Sequence, residues 1–165
     1  MKKHESGKSE AVRIADQLGR AFYGSAWHGP SVLELVKDID AKTAAAKPLA
    51  DAHSIWELLL HIEAWDRAGI IRLGGKSCQM KGAKNFPPVT TATDVAWRET
   101  IAQVKGTHDE LVEVVADLPK ARLRDQVPGK RYDFYHMLHG IAQHELYHAG
   151  QIAILKKAAT GRAKP

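Results

Sequence analysis

Apolar residues recur three and four positions apart along most of the chain, and no stretch alternates long enough to specify a strand. Ile14, Leu18 and Phe22 mark one face of a helix from about Ser9 to Tyr23, with Gly24 as its stop. Gly29-Pro30-Ser31 breaks the chain, and Ser31 with Glu34 spells a capping box before Val32, Leu33, Leu35 and Val36, so a short helix begins there. After Pro48, Ser54 and Glu57 spell a second capping box, opening a helix to about Leu73. Its seam is Ile55, Leu58, Ile62, Trp65 and Gly69. The Gly- and Pro-bearing segment 74–90 is long for a plain connection, which makes it either a crossover or a loop laid over a site. Thr91 with Asp94 caps a helix to about Leu118, with a seam of Trp97, Ile101, Val104, His108, Leu111, Val115 and Leu118. A last helix starts near Asp133 or Phe134, after Pro128-Gly129, and reaches about Ala159. Four substantial amphipathic helices with at least one long connection predict an all-α protein, a four-helix bundle with a short extra helix after the first. Residues 9–159 form one domain on this reading, between mobile basic tails at 1–8 and 160–165.

Composition narrows the class. With 44% hydrophobic and 26% charged residues over 165 positions, the chain has the make-up of a folded globular protein. It contains no apolar run of the ~18–20 residues that a membrane helix needs, and MKKHESGKSE has no apolar signal core. Cys78 is the single cysteine, which excludes an intramolecular disulfide and a cysteine-rich zinc module and fits a reducing cytoplasm. The net charge of +5 is unevenly placed. Residues 1–8 carry +2, residues 156–165 carry +4, and the body between them sums to −1. The basicity therefore belongs to the ends and predicts neither a specific nucleic-acid partner nor a membrane surface.

The histidines change the picture. There are nine, and the inward seam of the last helix reads Met137, Ile141, His144, His148, Ile152, Leu155. Residues four apart lie on one face about 40° apart, so the two imidazoles are neighbours. A buried polar group left unpaired costs roughly 1–3 kcal/mol, and two in adjacent turns ask for one shared explanation. A divalent metal supplies it, since neutral imidazoles at i and i+4 can both donate lone pairs to one ion. A third ligand must come from a facing helix. His61 lies mid-helix at the edge of the inward face, and His108 lies squarely on its own seam; spacing leaves both open, with His61 slightly ahead. His53 precedes a cap, His136 and His139 point about 80° and 140° away from His144, and His4 and His28 read as solvated.

His144-Glu145-Leu146-Tyr147-His148 also matches H-E-x-x-H, in which both histidines bind zinc and the glutamate is the general base. The 17 residues after His148 contain no further Asp, Glu or His, and no strand-rich half precedes the motif. A hydrolase of that type is a minor reading.

Three stretches carry a family resemblance: Trp27–Ser31, His53–Ile62, and above all Leu138–Ile152, where H-x-x-x-H is followed by Gly150-Gln151-Ile152. On these the chain resembles the DinB-like (DinB/YfiT) metalloenzymes over roughly residues 10–157. The resemblance implies a four-helix bundle of uncommon connection order, holding one metal on three histidines. Carried over by position, these are His61, His144 and His148. It further implies a homodimer and chemistry with low-molecular-weight thiols, by transferases or isomerases.

Three imidazoles leave a zinc or nickel ion with open positions, as catalytic sites require. The leading expectation is an enzyme that activates a small thiol or water for transfer to a small electrophile. The rival is a non-enzymatic metal-binding stress or sensing module, favoured if His108 closes the shell. Glu57, Glu145, Tyr147 and Gln151 could orient ligands or move protons, though each reads individually as a cap, a surface charge or packing. Trp27, Trp56, Trp65 and Trp97 read as core aromatics. Arg72, Lys130 and Arg131 read as solvated charges, with an anionic co-substrate as the alternative.

Overall fold

The computed structural model describes residues 9–161, so the expected tail 1–8 and most of 160–165 lie outside the described residues. Six α-helices follow in order: α1 (Glu10–Tyr23), α2 (Val32–Val36), α3 (Ala41–Ala45), α4 (Ile55–Leu73), α5 (Asp94–Ala116) and α6 (Phe134–Thr160). Short 3-10 helices occupy Gly82–Lys84 and Lys120–Arg124. No strand occurs among the described residues, where the one β-bridge joins Gln126 to Asp133.

The helix starts follow local chemistry. Ser9 accepts from the Val12 amide, and both capping boxes, Ser31/Glu34 and Ser54/Glu57, are closed in both directions. Gly24 ends α1 at φ 145°, a backbone that L side chains rarely adopt, with the Glu34 carboxyl 3.4 Å from where a Cβ would stand. Two expectations need correcting. The cap of α5 is Thr93, accepting from the Ala96 amide, and not Thr91; Asp94 is instead taken by a tertiary bond from the Ala41 amide at 3.1 Å. The segment after α1 also holds two short helices, the second capped by Asp40, whose side chain accepts from the Thr43 amide.

The extensive interfaces among the long helices are α4 with α5, α1 with α5, α4 with α6 and α1 with α6. This places α1 diagonally across from α4, and α5 across from α6. The apolar core divides into two clusters. One gathers Phe22, Val32, Trp56, Leu59, Ile62, Trp97, Val104 and Ile152; the other gathers Ile14, Leu18, Leu73, Leu111, Val115, Phe134, Leu138 and Ile141. Along the chain, α4 and α5 both run from the first cluster to the second, and α1 and α6 run from the second to the first. The bundle is therefore up-down-down-up. Because α4 and α5 run the same way, the chain must return along the ~28 Å of α4 before α5 can begin, which is why segment 74–93 is long.

Between the two clusters lies a belt of buried polar side chains: His61, Glu63 and Asp66 from α4, Thr107 and His108 from α5, Glu145 and His148 from α6. Each fully buried Leu, Ile or Phe contributes about 1.5–3 kcal/mol, and the belt interrupts that gain at mid-bundle. Its members must satisfy one another, or a ligand, to be tolerated there.

Candidate metal centre

His61 reaches the site because Ser54 and Glu57 fix the start of α4 six to seven residues before it; His144 and His148 follow each other by one turn of α6. Nε2 of His144 lies 3.0 Å from Nε2 of His61 and 3.0 Å from Nε2 of His148. His61 and His148 are buried, and His144 is half-buried. Burial pulls His61 down to about 4, against a backbone hydrogen bond at Asn85 that favours its charged form. Burial and the neighbouring imidazoles pull His144 to about 3, and burial lowers His148 as well. All three rings are neutral at pH 7.

Their outer nitrogens decide the tautomers. Nδ1 of His61 lies 2.5 Å from the Asn85 carbonyl oxygen, which can only accept, so the ring proton sits on Nδ1. Nδ1 of His148 likewise donates to Oε1 of Gln151 at 2.7 Å. Both Nε2 atoms therefore present lone pairs to the same atom, Nε2 of His144. A neutral His144 has one proton and can satisfy one of them at most, while its own Nδ1 is buried without a partner. The cluster lacks a proton and has a surplus of lone pairs converging on one point. A divalent cation resolves that conflict, so the residues present fit a metal, and their ligand atoms lie within 4.8 Å of one another.

The connection between α4 and α5 covers the site. Asn85 receives His61 on its carbonyl and Trp65 Nε1 on its side chain at 3.0 Å. Phe86 lies stacked between His53 and His61, with ring centroids 3.9 Å from each. Of the two readings of segment 74–90, both hold: it is a crossover, and it lies over the histidines.

His108 is not in this cluster. It is fully buried with Asp66 and Glu145, Nδ1 lying 3.0 Å from Asp66 Oδ2 and 3.4 Å from Glu145 Oε1, its ring stacked on Phe22 at 4.0 Å. These three could also hold an ion by spacing alone. As bare carboxylates, however, both Glu145 oxygens and Asp66 Oδ1 would have no donor. Burial, then the Asp66 charge and a hydrogen bond with it, push Glu145 well above the usual carboxylate range, a direction that favours a protonated carboxyl able to donate to Asp66. Burial raises Asp66 too.

Of the readings open to Glu145, cap, surface charge or packing, its complete burial leaves packing at the bundle centre. Successive residues on a helix are about 100° apart, so Glu145 enters the bundle centre when His144 faces the three-histidine site, and it makes no hydrogen bond to those histidines. Glu57 is a cap that also pairs with Lys47, Tyr147 is exposed, and Gln151 orients His148. Trp56 and Trp97 are buried and donate to Thr100 and to the Ile39 carbonyl, whereas Trp27 is fully exposed and belongs to no core. Arg72 is 1% exposed and is no solvated charge; it continues the α4 seam three residues past Gly69.

Among the described residues no helix is long and apolar enough to cross a membrane. No curated protein and no solved structure matches the chain. The sequence model of the DinB superfamily matches residues 27–152, which take in all three histidines, both capping boxes and the crossover. On that match, over more than half its length, the chain belongs to the DinB superfamily.

Proposed function

We propose that the protein is a metal-dependent enzyme that activates a low-molecular-weight thiol or water for transfer to a small electrophile, at a divalent ion held by His61, His144 and His148. The observation that carries this reading is the meeting of three neutral imidazoles through Nε2, two with Nδ1 committed to an oxygen acceptor. Imidazole donors suit zinc and nickel, and three protein ligands leave positions for a substrate. When bound, such an ion supplies Lewis acidity that favours the deprotonated form of a thiol or water.

The chain's own residues do the rest. Asn85 and Gln151 lock two ligands in the donating tautomer, and Phe86 covers one face of His61 and excludes water from it. Transfer forms a bond from the thiol sulfur or water oxygen to the electrophilic carbon, and the proton that leaves passes to the electron pair displaced there. Since Cys78 is the single cysteine, the thiol comes from outside the chain.

Metal analysis of the purified wild type is expected to find about one divalent ion per chain. His61→Ala, His144→Ala and His148→Ala are each expected to lose it, and a screen of small thiols with electrophiles is expected to give turnover only in the loaded wild type. Retention of a full complement of metal by all three variants defeats this reading.

A further inference from the structure

Arg72 is the largest fully buried side chain among the described residues, and a guanidinium cannot shed its charge. Yet no carboxylate of the described residues lies within ion-pair distance of it. Its Nη2 donates to the Cys78 carbonyl at 2.8 Å, its guanidinium carbon lies 5.4 Å from the centre of a Trp65 ring, and its Nε has no partner. A carbonyl and an aromatic face offset part of the cost of burying a cation, and an anion would offset the remainder.

There is room for one. A cavity of about 220 Å³, lined by Arg72, Trp65, Met137, Gly140 and Ile141, runs to His144, with Tyr132 and His136 also on its wall. Its walls are chiefly apolar, with the cation at one point and a member of the three-histidine cluster at another. A planar guanidinium whose Nε–H is free matches a carboxylate in particular, because its adjacent Nε and Nη2 edges can hold both oxygens at once.

We propose that this cavity binds a small organic acid, its carboxylate on Arg72 and its apolar body against Trp65, Met137 and Ile141. It rests on the foregoing reading only for what the acid meets at His144, and it names the class of electrophile as anionic. The size of the cavity limits the acid to one small ring or a short chain.

The test titrates benzoate, its neutral analogue benzamide and inorganic phosphate into the full chain, followed by Trp fluorescence and calorimetry, with metal-loaded and metal-stripped protein in parallel. Saturable benzoate binding is expected in both preparations, with benzamide about tenfold weaker or worse. Arg72→Gln should lose about tenfold or more of the benzoate affinity, with Arg72→Lys intermediate. Because Arg72→Gln could fail to fold, Gly140→Leu gives a second route: a Cβ at Gly140 meets nothing within 4 Å, so the helix is undisturbed while the added side chain fills the cavity. It too should abolish binding. Equal binding of benzoate and benzamide overturns the proposal, as do phosphate preferred over benzoate, wild-type benzoate affinity in Gly140→Leu, and no saturation by about 20 mM. Failure of the metal reading shows separately, as absent metal with benzoate binding intact.

Discussion

Two polar clusters share the belt across this bundle, and adjacent residues of α6 supply them: His144 belongs to one and Glu145 to the other. Both are triads of side chains that commonly bind metals, and both bring their ligand atoms within the same span. They differ in proton inventory. The histidine cluster turns two committed Nε2 lone pairs toward the Nε2 of His144, which has at most one proton to offer, whereas the upward shift of Glu145 favours a carboxyl that can donate to Asp66 without any ion. They also differ in access, since the acid cluster is fully buried behind Phe22 and His144 borders a cavity. The closeness of the ligand atoms does not tell the two sites apart. Donor and acceptor counting separates them.

Asp66→Ala gives the largest expected effect. It removes the acceptor of His108 and the partner of Glu145 in a fully buried region, and breaking such a buried pair costs about 3–5 kcal/mol. Urea unfolding should show this loss, and the folded fraction should retain its metal. His144→Ala should behave oppositely, losing metal but changing the stability of the metal-free protein by less than about 1 kcal/mol. Loss of metal from folded Asp66→Ala would mean that the two clusters are one site.

Lowering and raising pH should also act on the clusters with opposite sign. His61 and His144 titrate at about 4 and about 3 in the folded protein, against about 6.5 when unfolded. Below pH 6.5 the unfolded chain binds protons that the folded one does not, so metal-free stability falls as pH drops toward 4 and then 3. Glu145 is raised, so its contribution is complete below its unfolded value near 4.5 and is lost as pH rises through its higher folded value. Unfolding curves collected across pH should show His144→Ala flattening the acid limb. Glu145→Gln, which keeps a neutral side chain with a donor, should flatten the fall in stability that follows as pH rises above the ordinary carboxylate range, at little cost in stability. An acid limb unchanged in both His144→Ala and His61→Ala would show that these rings are not held neutral by the fold.

What the chain disclosed about itself follows the range of the interactions. Ser31/Glu34 and Ser54/Glu57 were legible because a capping box closes within four residues. Thr91 and Thr93 were not separable locally, because Asp94 is drawn to the Ala41 amide, which is 53 residues away. The Asp40-capped α3 has five residues and no seam to announce it. His61, His144 and His148 stood out as imidazoles on or beside seams, and the structure brings them together. The acid cluster carried a comparable signal in another register: Leu59, Ile62, Asp66, Gly69, Leu73 and Leu138, Ile141, Glu145, His148, Ile152 are spaced three and four apart. In each of these, one acidic residue occupies a core position. Arg72 repeats the pattern as the next step after Trp65 and Gly69. A charge on an apolar seam is easily taken for the edge of the stripe, and only the facing helices show that it is buried.

The smallest effect, and the finest test of the comparison, comes from Gln151. Its Oε1 accepts from Nδ1 of His148 and so keeps the Nε2 lone pair directed at the other two rings. Removing a partner of this kind from a metal-bound histidine weakens metal affinity by about 10–100-fold, or about 1.4–2.7 kcal/mol. Gln151→Leu should therefore lose that much affinity in a chelator competition, and Gln151→Glu, which still accepts, should recover most of it. Gln151 is half-buried at the edge of the belt, so neither change should shift the urea midpoint of the metal-free protein appreciably. The acid cluster allows no such separation, because there the hydrogen bonds are themselves the stabilising contacts. If Gln151→Leu instead destabilises the metal-free fold as Asp66→Ala does, the histidine cluster is a structural network of the same kind as its neighbour, and the distinction between them fails.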